Sequence, residues 1–153
     1  MIRDKEMLNQ FLDTISKFVR ERLVPAENEV AENDAIPDDI VQEMKDMGLF
    51  GMTIPEEYGG LGLTMEEEAL VAFEIGHTSP AFRSFFGTNN GIGAQGILID
   101  GTEEQKRRFL PRLASGSATG CLALTEPNAG SDAANIATTP RRAAPCGSSR
   151  TWR

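Results

Sequence analysis

The chain has 153 residues, 40% of them hydrophobic and 25% charged, ordinary globular values that exclude a fibre, a collagen helix and a wholly disordered chain. Its longest apolar runs, such as Gly96-Ile97-Leu98-Ile99, fall far short of the ~20 residues that cross a bilayer, and the segment Met1 to Met7 has no apolar core of a signal peptide, so a soluble, cytoplasmic protein is expected. Two cysteines, Cys121 and Cys146, are too few and too far apart for a zinc cluster or a disulfide framework. The net charge of −8 conceals a division: residues 1–139 carry all 23 acids and 11 of the 15 bases, whereas residues 140–153 hold four arginines and no acid. Lys45 is the only base between Glu27 and Glu74, which leaves no basic stripe for a phosphate backbone and argues against nucleic-acid binding.

In chain order, Leu8, Phe11, Leu12, Ile15, Phe18, Val19 and Leu23 recur every three or four residues and predict an amphipathic helix over 4–24, stopped by Pro25. After a polar stretch, Pro37 and Asp38 mark a second, short helix whose apolar face is Ile40, Val41, Met44 and Met47, with Gly48 as a left-handed C-terminal cap. Residues 49–64 combine Gly and Pro with Leu49, Phe50, Met52, Ile54, Tyr58, Leu61 and Leu63, the composition of an ordered, packed loop. Thr64 with Glu67, and Thr102 with Gln105, have the spacing of capping boxes and open two further helices, the second disturbed or ended by Pro111. Between them, Pro80 starts a helix through Phe85 or Phe86, and any helix over the glycine-rich stretch 87–99 requires close packing to offset its glycines. Only Thr119 to Thr125, with alternating Leu122 and Leu124, reads as a strand.

Five features carry possible chemistry. Gly91-Ile92-Gly93-Ala94-Gln95-Gly96 matches the G-x-G-x-x-G fingerprint of dinucleotide sites, but that motif needs a preceding strand, a long following helix and an acid ~20 residues on, and glycines that allow two helices to approach are the better reading. His77 is the only histidine, which removes a two-histidine metal site, and a solvated or capping role fits it best. Glu66, Glu67 and Glu68 point in different directions on a helix, and a first turn favours acids through its dipole, while Lys106, Arg107 and Arg108 read as a charged face. The segment Cys121 to Asp132 differs: a strand entering a turn of Pro, Asn, Gly and Ser exposes successive backbone N–H groups together with the Thr125 and Ser131 hydroxyls, an array suited to an anionic or heteroaromatic ligand. An ordinary tight turn in which Glu126 and Asp132 satisfy local donors explains the same residues equally well.

The string Ala123-Leu124-Thr125-Glu126-Pro127-Asn128-Ala129-Gly130-Ser131-Asp132 resembles the first signature of the acyl-CoA dehydrogenase family. Gly48-Leu49-Phe50-Gly51 with Ile54-Pro55-Glu56-Glu57-Tyr58-Gly59-Gly60-Leu61-Gly62 resembles the family's early loop, and Gly101 to Lys106 with Phe109 to Gly116 resembles the helix that leads into its flavin region. The resemblance implies a mainly α fold, with residues 1–118 as the family's N-terminal helical domain and 119–139 as the start of a truncated middle β-domain, its first strand followed by the FAD-contacting turn. It implies FAD as cofactor, contacted by Leu122, Leu124, Thr125, Gly130 and Ser131, with Ser131 also touching the acyl-CoA substrate. Helices near Phe86 to Ile97 line the acyl pocket in relatives. No metal is implied, and the family's catalytic glutamate lies in its C-terminal domain, so no residue here takes that role. An electron-transfer flavoprotein as electron acceptor and a homo-oligomer for an intact enzyme complete the expectation.

After Thr139 the resemblance stops. Residues 140–153, rich in Arg, Ala, Pro, Gly and Ser without apolar periodicity, predict a disordered tail, and the abrupt change suggests a frameshift that leaves a truncated chain without activity of its own. Two other readings stand beside the dehydrogenase: an acyl-CoA oxidase or flavin monooxygenase-like relative that hands electrons to oxygen, and a non-catalytic helical interaction module.

Overall fold

The computed structural model describes residues 5–139, so the tail reading for 140–153 lies outside the described residues. These residues divide into two units, one running through Leu122 and the other starting at Ala123. The first is helical, as expected. Its α-helices are α1 (Lys5–Phe18), α2 (Val24–Asn33), α3 (Asp38–Asp46), α4 (Met65–Ile75), α5 (Pro80–Thr88), α6 (Gln95–Asp100) and α7 (Glu103–Ala114).

Helix α1 buries Ile15 and Phe18, the stripe set by its periodicity. Pro25 does not stop the helix as expected. The backbone widens into a single π-turn, Val19–Leu23, and the Val24 N–H bonds to the Val19 carbonyl five residues back. Pro25 then occupies the first turn of α2, directly after the widened turn, the part of a helix that best tolerates a residue without an N–H. The polar stretch after Pro25 is therefore a helix with Ala26 and Val30 buried. Glu27 ties it to the α4–α5 connection by accepting from Thr78 Oγ1 at 2.8 Å and Ser79 N at 2.7 Å. Arg22, in the π-turn, reaches across to α3 and donates to Glu43 and Asp39, a half-exposed pair of modest energetic weight.

Signals that act within one turn of the chain appear as expected. Gly48 follows α3 with φ +73°. Both capping boxes close: Thr64 N donates to Glu67 Oε2 at 2.7 Å and Glu67 N to Thr64 Oγ1 at 3.3 Å, and Thr102 and Gln105 form the same pair at 2.8 and 3.3 Å. Pro111 lies inside α7 without ending it. Burial of Leu110, Leu113 and Ala114 on that helix offsets the one backbone bond that proline removes.

The loop 49–64 is packed, as its composition requires. Leu49, Phe50, Met52 and Leu63 join the larger apolar cluster with Ile15, Phe18, Val71, Ile75, Phe82 and Phe86. Ile54 and Tyr58 join a second cluster with Ala94, Leu110, Leu113 and Ala114. Backbone bonds fold the loop on itself: Leu61 N to Gly51 O at 2.9 Å, Gly62 N to Ile54 O at 2.9 Å and Leu63 N to Met52 O at 2.7 Å.

Gly60 sits inside this fold, where a Cβ would lie 2.0 Å from the Ile54 carbonyl oxygen and 2.6 Å from that of Gly51. Neither oxygen can retreat without breaking the bonds just described. Gly60→Ala is therefore expected to lower stability by about 3 kcal/mol, the upper range for overpacking. Urea denaturation followed by circular dichroism measures it, and an unchanged midpoint contradicts the crowding.

Candidate functional site

In the unit that starts at Ala123, the chain turns sharply at Pro127 and Asn128. An isolated antiparallel bridge joins Glu126 to Ala129, with Glu126 N donating to Ala129 O at 2.9 Å and Ala129 N to Glu126 O at 3.2 Å. The bridge fixes the register of the turn, so Thr125 and Gly130 flank it on opposite arms. Beyond it, residues 133–135 form a short 3-10 turn, in which Asn135 N bonds to Asp132 O at 3.1 Å and the Asn135 amide donates to the Asp132 carboxylate.

The Glu126 side chain closes the segment into a loop. Its two carboxylate oxygens accept from Ala137 N at 2.9 Å and Thr138 N at 2.8 Å. Bonds from Thr138 and Ala137 hold this carboxyl below its ordinary range, because each stabilises the charged form. Glu126 and Asp132 thus satisfy local donors, as the tight-turn reading requires.

Leu124, Thr125, Gly130 and Ser131 are exposed in this unit, and Leu122 is exposed at the end of the helical one. A Cβ built on Gly130 meets nothing within 4 Å, so its backbone is open to an approaching group. The expected strand Thr119–Thr125 forms no ladder among the described residues. A strand needs a partner for its N–H and C=O groups, and the described residues supply none.

The G-x-G-x-x-G match has a structural origin. Helix α5, not a strand, leads into it, and residues 89–93 form a second π-turn before the short α6. Of its glycines, Gly93 is in close contact with Gly120, while Gly91 and Gly96 face open space. The close approach is therefore to the chain after α7, and not between two helices as expected. His77 is exposed, and among the described residues no group of three or more His, Cys, Asp or Glu side chains is arranged to hold a metal.

The pair Asn89 and Asn90, which no motif singled out, forms the polar centre of the helical unit. Both are fully buried. Asn90 Nδ2 donates to Leu49 O at 2.6 Å, its Oδ1 accepts from Thr53 N at 3.2 Å, and its carbonyl accepts from Thr53 Oγ1 at 2.6 Å. A signal existed in the spacing: Phe82, Phe86 and Asn90 are four residues apart, so the helical period carries an amide into a buried stripe.

Residues 5–117 match the family model described as acyl-CoA dehydrogenase, N-terminal domain. The chain belongs to the acyl-CoA dehydrogenase family. Within this oxidoreductase family it is 37% identical over 131 residues to the mitochondrial very long-chain specific acyl-CoA dehydrogenase of Mus musculus, covering 86% of this chain and 20% of that relative. The acyl-CoA dehydrogenase of Bacillus subtilis (strain 168) is 37% identical over 125 residues, 82% of this chain and 33% of the relative. An acyl-CoA dehydrogenase from Bacillus anthracis, solved in complex with FAD, superposes with a TM-score of 0.74 at 32% identity over 88% of this chain and 23% of that one. The chain spans a fifth to a third of the length of these two curated relatives. Among the described residues no helix is long and apolar enough to cross a membrane.

The Glu126 loop predicts a pH dependence. A carboxyl held below its ordinary value of 4.5 adds stability that is complete above that value and is lost as pH falls through the depressed one. The Ala137 and Thr138 amide resonances are expected to hold steady from pH 7 to 5 and to shift together in more acid solution, and Glu126→Gln to remove the transition. A titration of these amides by NMR centred at the ordinary carboxylate value contradicts the contact.

Proposed function

We propose that this chain supplies the N-terminal helical domain and the flavin-contact turn of an FAD-dependent acyl-CoA dehydrogenase, with residues 1–118 as that domain and 119–139 as the start of the middle domain. The observation that carries the reading is the family match over residues 5–117 followed at once by an exposed turn bearing the family's signature. The residues of the turn fit a flavin: Thr125 offers a hydroxyl and a backbone donor, and Gly130 leaves its backbone uncovered for a phosphate to approach.

In this reading Leu122, Leu124 and Thr125 hold the isoalloxazine ring of FAD, Gly130 and Ser131 hold its pyrophosphate, and Ser131 also contacts the acyl-CoA. When bound, FAD supplies the hydride acceptor for α,β-dehydrogenation of the thioester. The turn contributes orientation and hydrogen bonds; the proton α to the carbonyl needs a base outside the positions assigned here. Glu126 is unsuited to that task, because its carboxylate is engaged by Ala137 and Thr138. The chain alone is accordingly inactive, and in an intact enzyme an electron-transfer flavoprotein accepts the electrons and the subunits form a homo-oligomer. A cytoplasmic location belongs to the same proposal.

Titrating FAD into the full chain tests the cofactor assignment. Binding is expected to quench flavin fluorescence, and Thr125→Val to weaken it about tenfold, the loss of one well-made hydrogen bond. Addition of an acyl-CoA to the chain and FAD is expected to leave the 450 nm band unbleached, since no base is assigned. Absence of any FAD binding by a stably helical chain contradicts the cofactor assignment and favours the interaction-module reading.

A further inference from the structure

Asn89 occupies the second π-turn, and its buried amide makes three bonds to one stretch of backbone. Nδ2 donates to Leu113 O at 3.0 Å and to Ala118 O at 2.9 Å, while Oδ1 accepts from Gly120 N at 2.8 Å. An amide with both donors and its acceptor so engaged has one orientation, since a flip sets like against like at all three contacts. The Leu113 carbonyl belongs to the last turn of α7 and also accepts from Gly116 N at 3.1 Å.

A second contact acts on the same residue. A Cβ on Gly120 would lie 2.6 Å from Gly93 Cα, and one on Gly93 would lie 3.0 Å from Gly120 Cα. The π-turn therefore grips Gly120 twice, by accepting its N–H at Asn89 Oδ1 and by backbone packing from Gly93. Cys121 and Leu122, which follow, are exposed and without regular structure. Gly120 is thus the last firmly held residue before the proposed flavin-contact segment.

We propose that Asn89 is a positioning residue for that segment: its carboxamide fixes Gly120 and with it the point at which the flavin-contact segment begins. The inference rests on the flavin assignment made above and gives Asn89 no contact with the cofactor. Freedom at Gly120 passes to every donor downstream, and donors that must be ordered on binding cost affinity. Asn89 thereby couples the packing of the α5–α6 corner to the cofactor turn.

The test compares full chains carrying Asn89→Asp, which keeps the acceptor but turns the two donor contacts into repulsions, and Asn89→Ser, which truncates the amide more gently. Asn90→Ser is the control, because Asn90 holds Leu49, Thr53 and Phe86 and makes no bond to Gly120. Both Asn89 variants are expected to speed exchange of the Gly120 amide and weaken FAD binding by about tenfold each, the scale of one or two net hydrogen bonds. Asn90→Ser is expected to lose as much thermal stability and leave both readings within about twofold. Unchanged Gly120 exchange in the Asn89 variants, or an equal loss of FAD affinity in Asn90→Ser, overturns the proposal. If the wild-type chain takes up no FAD, the cofactor assignment fails separately. The amide shifts of residues 121–125 then decide: movement in Asn89→Ser with none in Asn90→Ser upholds the positioning role, and no movement overturns it.

Discussion

Two consecutive buried asparagines impose the constraint on which the helical unit depends. A carboxamide moved from water into an apolar interior costs several kcal/mol unless its donors and acceptor are met. Asn89 and Asn90 meet theirs only if two separate stretches of backbone, Leu49–Thr53 and Leu113–Gly120, come to one place. The π-turn makes this possible by freeing the Asn90 carbonyl for Thr53 Oγ1 and Gln95 Nε2. Apolar burial supplies the greater share of the driving force, but it is non-directional; the amides select which packed arrangement is adopted.

That selection joins the two apolar clusters. The larger one gathers α1 to α5 around Phe50, whose ring meets Phe86 edge to face at 6.4 Å. The smaller one gathers α7 and the residues around Ala94 against Ile54 and Tyr58. The loop 49–63 contributes to both, and the asparagines tie that loop to the α5–α6 corner. Family membership thus has a physical expression in this chain: the resembling segments 48–62 and 101–116 are those the asparagines and the loop hold together.

What was legible in the sequence was local. Gly48, Thr64 with Glu67, and Thr102 with Gln105 act within one turn of the backbone, and each did what its spacing requires. Pro25 misled because a single π-turn lets a proline enter a continuous helix, an accommodation that leaves no mark in apolar periodicity. The asparagines were hidden by their type, since an amide in a glycine-rich stretch reads as loop until its buried partners are known. The segment 119–125 has the composition of a strand, but strands are formed by partners, and none lies among the described residues. The flavin roles proposed for Thr125, Gly130 and Ser131 come from resemblance alone, because a turn of Pro, Asn, Gly and Ser looks alike whether it binds a ligand or not.

The central claim is that the asparagine pair makes the two clusters one cooperative structure. Native-state hydrogen exchange under increasing denaturant tests it most directly, by comparing the slowest amides of α4, around Val71 and Ile75, with those of α7, around Leu110 and Leu113. The account predicts that both sets converge on one opening free energy, that of global unfolding. Separate opening of α7 at a distinctly lower free energy, with α4 still protected, would contradict it.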